Sequence, residues 1–109
     1  MRRLLLVAVV VGALRGGARQ ARGAERDTTV SRVTYYSLSG VMASGAWTFD
    51  GAAACGDAFP WLGVVTIHAA IDVTVQCVDT GSLGWNQIDV WSGAGRPWWL
   101  QEDWYDVSY

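Results

Sequence analysis

"IDVTVQCVDTGSLGWNQIDVW", residues 71–91, holds the clearest structural signal in the chain. Ile71, Val73, Val75 and Cys77 alternate with Asp72, Thr74 and Gln76, the period of two that a half-buried β-strand requires. Asp79-Thr80-Gly81 then interrupts the run with turn chemistry, and residues 87–91 read as a further strand. Asp89 lies inside that strand, between Ile88 and Val90-Trp91. A carboxylate among apolar side chains loses solvation, so it must be paired, protonated or used. Asp89 is therefore the first candidate for chemistry.

The same texture extends outward. Residues 30–37 contain valine, threonine and two tyrosines and suit a strand, as do 63–67 and 104–109. Residues 40–56 are glycine-rich with little periodicity and read as a loop or a wandering strand. A helical turn is admissible at 97–102, but no segment carries the period of an ordinary amphipathic helix. The class is small all-β. A closed barrel is expected, because closure removes edge strands that so short a chain cannot cover.

With 109 residues the chain forms one domain at most, and its first part is not expected to belong to it. Met1-Arg2-Arg3 precedes an apolar run at 4–14. That run is too short for a membrane-spanning helix but suits the apolar region of a secretory signal. Small residues at Gly16-Gly17-Ala18 offer a cleavage point that Arg15, Arg19 and Arg22 crowd, so the site of cleavage stays open. An uncleaved anchor and an Arg-rich transit peptide are the alternatives. We therefore read 1–24 as a signal peptide and flexible leader, and 29–109 as the folded domain. The expected location is extracytoplasmic, secreted or in the cell envelope, with membrane contact only through an uncleaved anchor.

Charge divides the chain at the same place. All eight basic residues are arginines, and five of them precede the first acid, Glu25. From Glu25 onward three arginines face ten acids, so the formal charge of −2 conceals a domain at about minus seven. Scattered cations on an acidic body do not suit nucleic acid, which needs clustered ones. In an exported chain the isolated pair Cys55 and Cys77 reads as a disulfide, contributing roughly 3 kcal/mol. Neither has a histidine or second cysteine at metal-ligand spacing, so no metal and no cofactor are expected. A monomer is expected.

Four pieces in order now form a pattern: Thr34-Tyr35-Tyr36 before Ala43-Ser44-Gly45; Ala54-Cys55-Gly56-Asp57 before Pro60-Trp61-Leu62-Gly63; Asp79-Thr80-Gly81; and Ile88-Asp89-Val90-Trp91. This resembles the three-aspartate domain and its relative, the rare lipoprotein A domain, both double-psi β-barrels. The resemblance implies a six-stranded double-psi β-barrel with Asp57, Asp79 and Asp89 as the three aspartates. It runs from Val33 to Trp91. The stretch between the last two aspartates is one residue shorter than the family pattern. Gly81-Ser82-Leu83-Gly84-Trp85 stands where the family has a Gly-Gly-Ala-Ile-Lys-Gly segment, and Met42 stands where threonine is common.

The resemblance further implies cell-wall chemistry. Lytic transglycosylases of this kind cut peptidoglycan without water and carry their acid at the Ile-Asp position, which is Asp89 here. One aspartate serves as acid and then as base, so its pKa should lie above the usual ~3.9. Apolar surroundings and a like-charged neighbour, Asp79, both act that way. The alternative is a non-catalytic module that binds peptidoglycan or a related polysaccharide, as expansins do. Ser44 and Asp57 are carried over as substrate contacts, and Trp47 and Trp85, in glycine-rich loops, are candidate platforms for sugar rings.

Plainer roles compete for several of these residues. Asp79 suits capping of its own turn, and Asp57 suits capping of a short helical turn at 58–60. Most of the seven tryptophans suit the core, although Trp98 and Trp99 cannot both point inward on a strand. Asp72 is expected to be solvated. His68 reads as a surface residue, because a Ser-His-Asp set would need Ser44 or Ser82 beside it and nothing in the sequence places them there.

Overall fold

The computed structural model describes residues 26–109. The leader assigned to 1–24 lies outside them. Six strands follow in order: β1 (Thr28–Tyr36), β2 (Ala52–Cys55), β3 (Val64–His68), β4 (Asp72–Asp79), β5 (Gln87–Trp91) and β6 (Trp104–Ser108). They close into one ring in the order β1-β5-β2-β4-β3-β6. Two contacts are parallel, β1 with β5 and β2 with β4; the other four are antiparallel. The domain is an all-β closed barrel, and every strand has a partner on both sides.

Alternation produces the core. Val75 and Cys77 of β4 turn inward with Val33, Ala53, Val65, Ile67, Ile88, Val90, Tyr105 and Val107. Phe59, Trp99 and Leu100 from the connections complete this cluster. Trp99 is buried with its ring edge-on to Tyr105, 6.4 Å between centroids, while Trp98 is exposed. The 97–102 segment is a turn, closed by Leu100 N–H donating to Pro97 C=O at 3.1 Å.

β2 is the strand the sequence left undecided. Its Ala52, Ala53 and Ala54 are all buried, so no polar face alternates with an apolar one. Neighbours make it a strand: β4 and β5 bond to its two edges, and Cys55–Cys77 ties it to β4 with Cα atoms 5.5 Å apart. The register slips between Ala53, opposite Cys77, and Ala54, opposite Asp79, so Val78 is the extra residue of a bulge. Val78 joins Met42 and Ala52 in a second small cluster, with Trp91 against it.

Two tight places constrain the connections. At Gly56 a Cβ would run into the backbone of Gly84 and Trp85, so only glycine allows the 80–86 connection to cross there. Leu62 has a φ of 65°. That left-handed conformation is unfavourable for a bulky side chain. It sits in a turn closed by Gly63 N–H donating to Pro60 C=O at 2.9 Å.

Candidate functional site

Register lays the candidate residues in one row across four strands. Thr34 of β1 pairs with Asp89 of β5, Asp89 with Ala54 of β2, and Ala54 with Asp79 of β4. Residues paired in register share a face, and this one is turned away from the core, because Val33, Ala53, Cys77, Ile88 and Val90 point inward. The bulge is what admits Asp79. Strict alternation after Cys77 would send Val78 outward and Asp79 inward; the extra residue returns Asp79 to the outer face beside Ala54. Only the methyl of Ala54 separates the two acids along the row, with backbones two strand spacings, about 10 Å, apart.

The two carboxylates are held differently. Asp79 is ringed by donors: Oδ1 accepts from Ala43 N–H and Thr80 N–H, each at 2.9 Å, and Oδ2 accepts from the Tyr36 hydroxyl at 3.0 Å. It caps its own turn, as the sequence suggested, and also anchors the 40–48 loop. Asp89 is half-buried and has one donor, the Thr34 hydroxyl, at 2.7 Å to Oδ1. Thr34 Oγ1 in turn accepts from Gln87 Nε2 at 3.2 Å. The hydroxyl's own proton is thus left for Asp89.

Electrostatics separates them further. Burial pushes the Asp89 carboxyl above its ordinary range, the Thr34 hydrogen bond pulls it back, and the charge of Asp79 pushes it up again. Tyr36 is also raised, first by burial, then by its hydrogen bond to Asp79 and the charges of Asp79 and Asp89. The tyrosine therefore stays a donor. The row thus consists of one multiply bonded carboxylate, one carboxyl biased toward holding a proton, and a phenol that feels the charge of both.

Two loops flank it. On the Asp79 side, Ser44 N–H donates to Val78 C=O at 3.1 Å, but the Ser44 hydroxyl accepts from Ala46 N–H at 3.4 Å within its own turn. Trp47 in that loop is 64% exposed. On the other side the 80–86 connection leaves Asp79 and reaches β5 over Gly56, presenting Trp85, 67% exposed. Asp57 lies past the end of β2, exposed, near the backbone of Trp85, whose C=O accepts from Ala58 N–H at 2.9 Å. Among the described residues Asp57 accepts no hydrogen bond, and 57–59 is a plain turn closed by Phe59 N–H to Gly56 C=O at 3.2 Å, so the expected cap does not form. The structure thus brings together Asp79, Asp89 and the 43–44 backbone, and leaves Asp57, Trp47 and Trp85 on the flanks.

Among the described residues one cleft lies away from the row, and another reaches it at Thr34. One of about 490 Å³ is lined by His68, Trp99, Trp104 and Asp106 among others, and one of about 290 Å³ by Arg32, Thr34, Tyr35 and Arg96 among others. Neither is lined by Asp79 or Asp89. Among the described residues no three of His, Cys, Asp or Glu gather as a metal site.

Sequence reasoning missed Thr34, Tyr36 and Gln87 as partners of the acids. The signal was present: Thr-x-Tyr on a strand puts both side chains on one face, here the face of Asp79 and Asp89. Asp72 and His68 are exposed, as the sequence suggested, but they are not isolated. They are bonded to one another, and His68 reaches a serine, Ser108, that the sequence did not suggest.

No protein-family model matches the chain, and no curated protein matches it. What can be stated of its class is a closed six-stranded β-barrel with one disulfide, a bond compatible with an oxidising, extracytoplasmic location.

Proposed function

We propose that this chain is an exported double-psi β-barrel of the three-aspartate and rare lipoprotein A kind that cleaves peptidoglycan glycan strands, with Asp89 as acid and base. The observation that carries the reading is the Thr34–Asp89–Ala54–Asp79 row, in which a desolvated carboxyl stands near a firmly bonded carboxylate on an accessible face.

The steps need only one titrating group. Protonated Asp89 gives its proton to the glycosidic oxygen as the C1–O bond breaks, and charge develops at C1. The Asp89 carboxylate then takes the proton from the same sugar's C6 hydroxyl while that oxygen bonds to C1, closing an anhydro ring without water. A raised pKa suits both halves. Asp79 contributes negative charge near the developing cation, and Tyr36 and the Ala43 and Thr80 amides keep it in place. Trp47 and Trp85 supply flat surfaces for neighbouring sugars.

A second reading has its own support. The face that carries the two acids is flanked by the exposed indoles of Trp47 and Trp85, which suits binding of polysaccharide without cleavage. Incubation with purified peptidoglycan separates the two. Soluble anhydro-muropeptides from the native protein, absent with Asp89→Asn, support cleavage. Co-sedimentation with the wall and no product leaves the binding module. Neither product nor sedimentation removes both.

A further inference from the structure

Away from the aspartate row, the outer faces of β3, β4 and β6 bring together three residues that the glycan reading does not use. His68 Nδ1 lies 2.9 Å from Asp72 Oδ1, and His68 Nε2 lies 2.7 Å from Ser108 Oγ. Asp72 is four residues from His68 across the β3–β4 hairpin, whereas Ser108 comes from β6, the other neighbour of β3. With the imidazole neutral, the polarity of the chain of bonds follows from its members. A carboxylate only accepts, so Nδ1 carries the ring proton and Nε2 presents its lone pair to the serine hydroxyl.

That is the order of groups that turns a serine into a nucleophile: orienting acid, base, hydroxyl. Asp106 pairs with His68 in register and adds a second negative charge beside the imidazole. A cation stands on the other flank, since Arg26 Nη2 lies 3.1 Å from Ser108 C=O and Nη1 lies 3.3 Å from Thr66 Oγ1. The larger cleft, about 490 Å³, opens beside His68 and includes Trp99, Trp104 and Tyr105 in its lining. Of these rings Trp104 is exposed, and it gives an apolar group somewhere to lie.

We propose that Ser108, His68 and Asp72 form a second reactive centre that accepts carboxylic esters of small or aromatic acids. Ser108 Oγ attacks the ester carbon while His68 Nε2 takes its proton. The tetrahedral adduct, its oxygen facing Arg26, expels the alcohol, which leaves with the proton from His68. The acyl group then rests on Ser108 until water, deprotonated by His68, releases it as the acid. The His68 side chain is 40% exposed and that of Asp72 70%. Solvent therefore weakens the orienting bond, and slow turnover with clear acylation is the expected behaviour.

The test treats the folded chain with a fluorophosphonate probe and locates the adduct by peptide mass spectrometry, with p-nitrophenyl acetate as a parallel acyl donor. One adduct on Ser108 is expected, together with a burst of one equivalent of nitrophenol. Ser108→Ala should abolish both, and Ser82→Ala should leave both unchanged. His68→Ala should slow labelling about a hundredfold, with part of the rate restored by free imidazole. His68→Gln, which keeps a hydrogen-bonding side chain but no base, serves if the alanine variant melts early. No adduct on the folded native protein, an adduct elsewhere, or labelling undiminished in both histidine variants overturns the proposal.

Discussion

Removing the Cys55–Cys77 bond is the perturbation whose size the structure fixes best. The bridged cysteines lie 22 residues apart in sequence. By the chain-entropy relation that loop corresponds to about 11 cal/mol/K, or about 3.4 kcal/mol at room temperature. Cys77 is buried in the core, so truncating both cysteines to alanine adds a small cavity at about 1 kcal/mol. A folded region running from 26 to 109 melts with an entropy of roughly 180 cal/mol/K, so the reduced protein should melt about 19 °C lower and Cys55→Ala/Cys77→Ala about 25 °C lower. Circular dichroism melts of the oxidised, reduced and double-alanine proteins read this directly. The bond also secures the strand pair at the bulge that sends Asp79 outward, so the Tyr36–Asp79 contact should loosen with it. Melting temperatures within about 5 °C for all three forms would refute the reasoning, since closure of that loop could then not be stabilising the barrel on the scale of about 3 kcal/mol.

Four further outcomes follow from particular residues. Because the folded-state pKa of Asp89 is raised, its stabilising contribution is complete below the ordinary 3.8 and is lost as pH rises through the higher folded value. Asp89→Asn should therefore melt above the native protein at neutral pH and lose that advantage below 3.8; a lower melt at pH 7 contradicts this. Gly56→Ala should cost about 1–3 kcal/mol, read by urea denaturation, because the new methyl collides with the backbone of Gly84 and Trp85. Leu62→Gly should stabilise by about 1 kcal/mol by relieving a left-handed, exposed leucine, and a loss of stability of that size would argue against strain there. Trp85→Ala, at an exposed indole, should leave the melt unchanged within about 0.5 kcal/mol while weakening retention on peptidoglycan.

The parts of the fold that were legible in the sequence are those where one face is wet and the other dry. β4 and β5 alternate, so their strands and the inward set of Val75, Cys77, Ile88 and Val90 could be read from the pattern. β2 could not, because three consecutive buried alanines carry no period and little strand propensity; its existence depends on what bonds to its edges. The candidate site divides in the same way. Asp89 announced itself by its apolar neighbours along the chain. That Asp79 shares its face depends on a one-residue slip in the pairing of β2 with β4, which is invisible to periodicity. His68, Asp72 and Ser108 illustrate the limit more sharply, since 40 residues separate the histidine from its serine and only the β3–β6 pairing brings them together.

The glycan proposal stands or falls with the protonation of one side chain. Carbon-13 labelling of the aspartate carboxyls allows Asp89 to be titrated by NMR in the native protein, in Asp79→Asn and in Thr34→Val. The account predicts a midpoint above the ordinary 3.8 in the native protein, lower when the Asp79 charge is removed and higher when the Thr34 donor is lost. A native midpoint at or below 3.8, unmoved by either substitution, would leave Asp89 an ordinary solvated carboxylate with no proton to give.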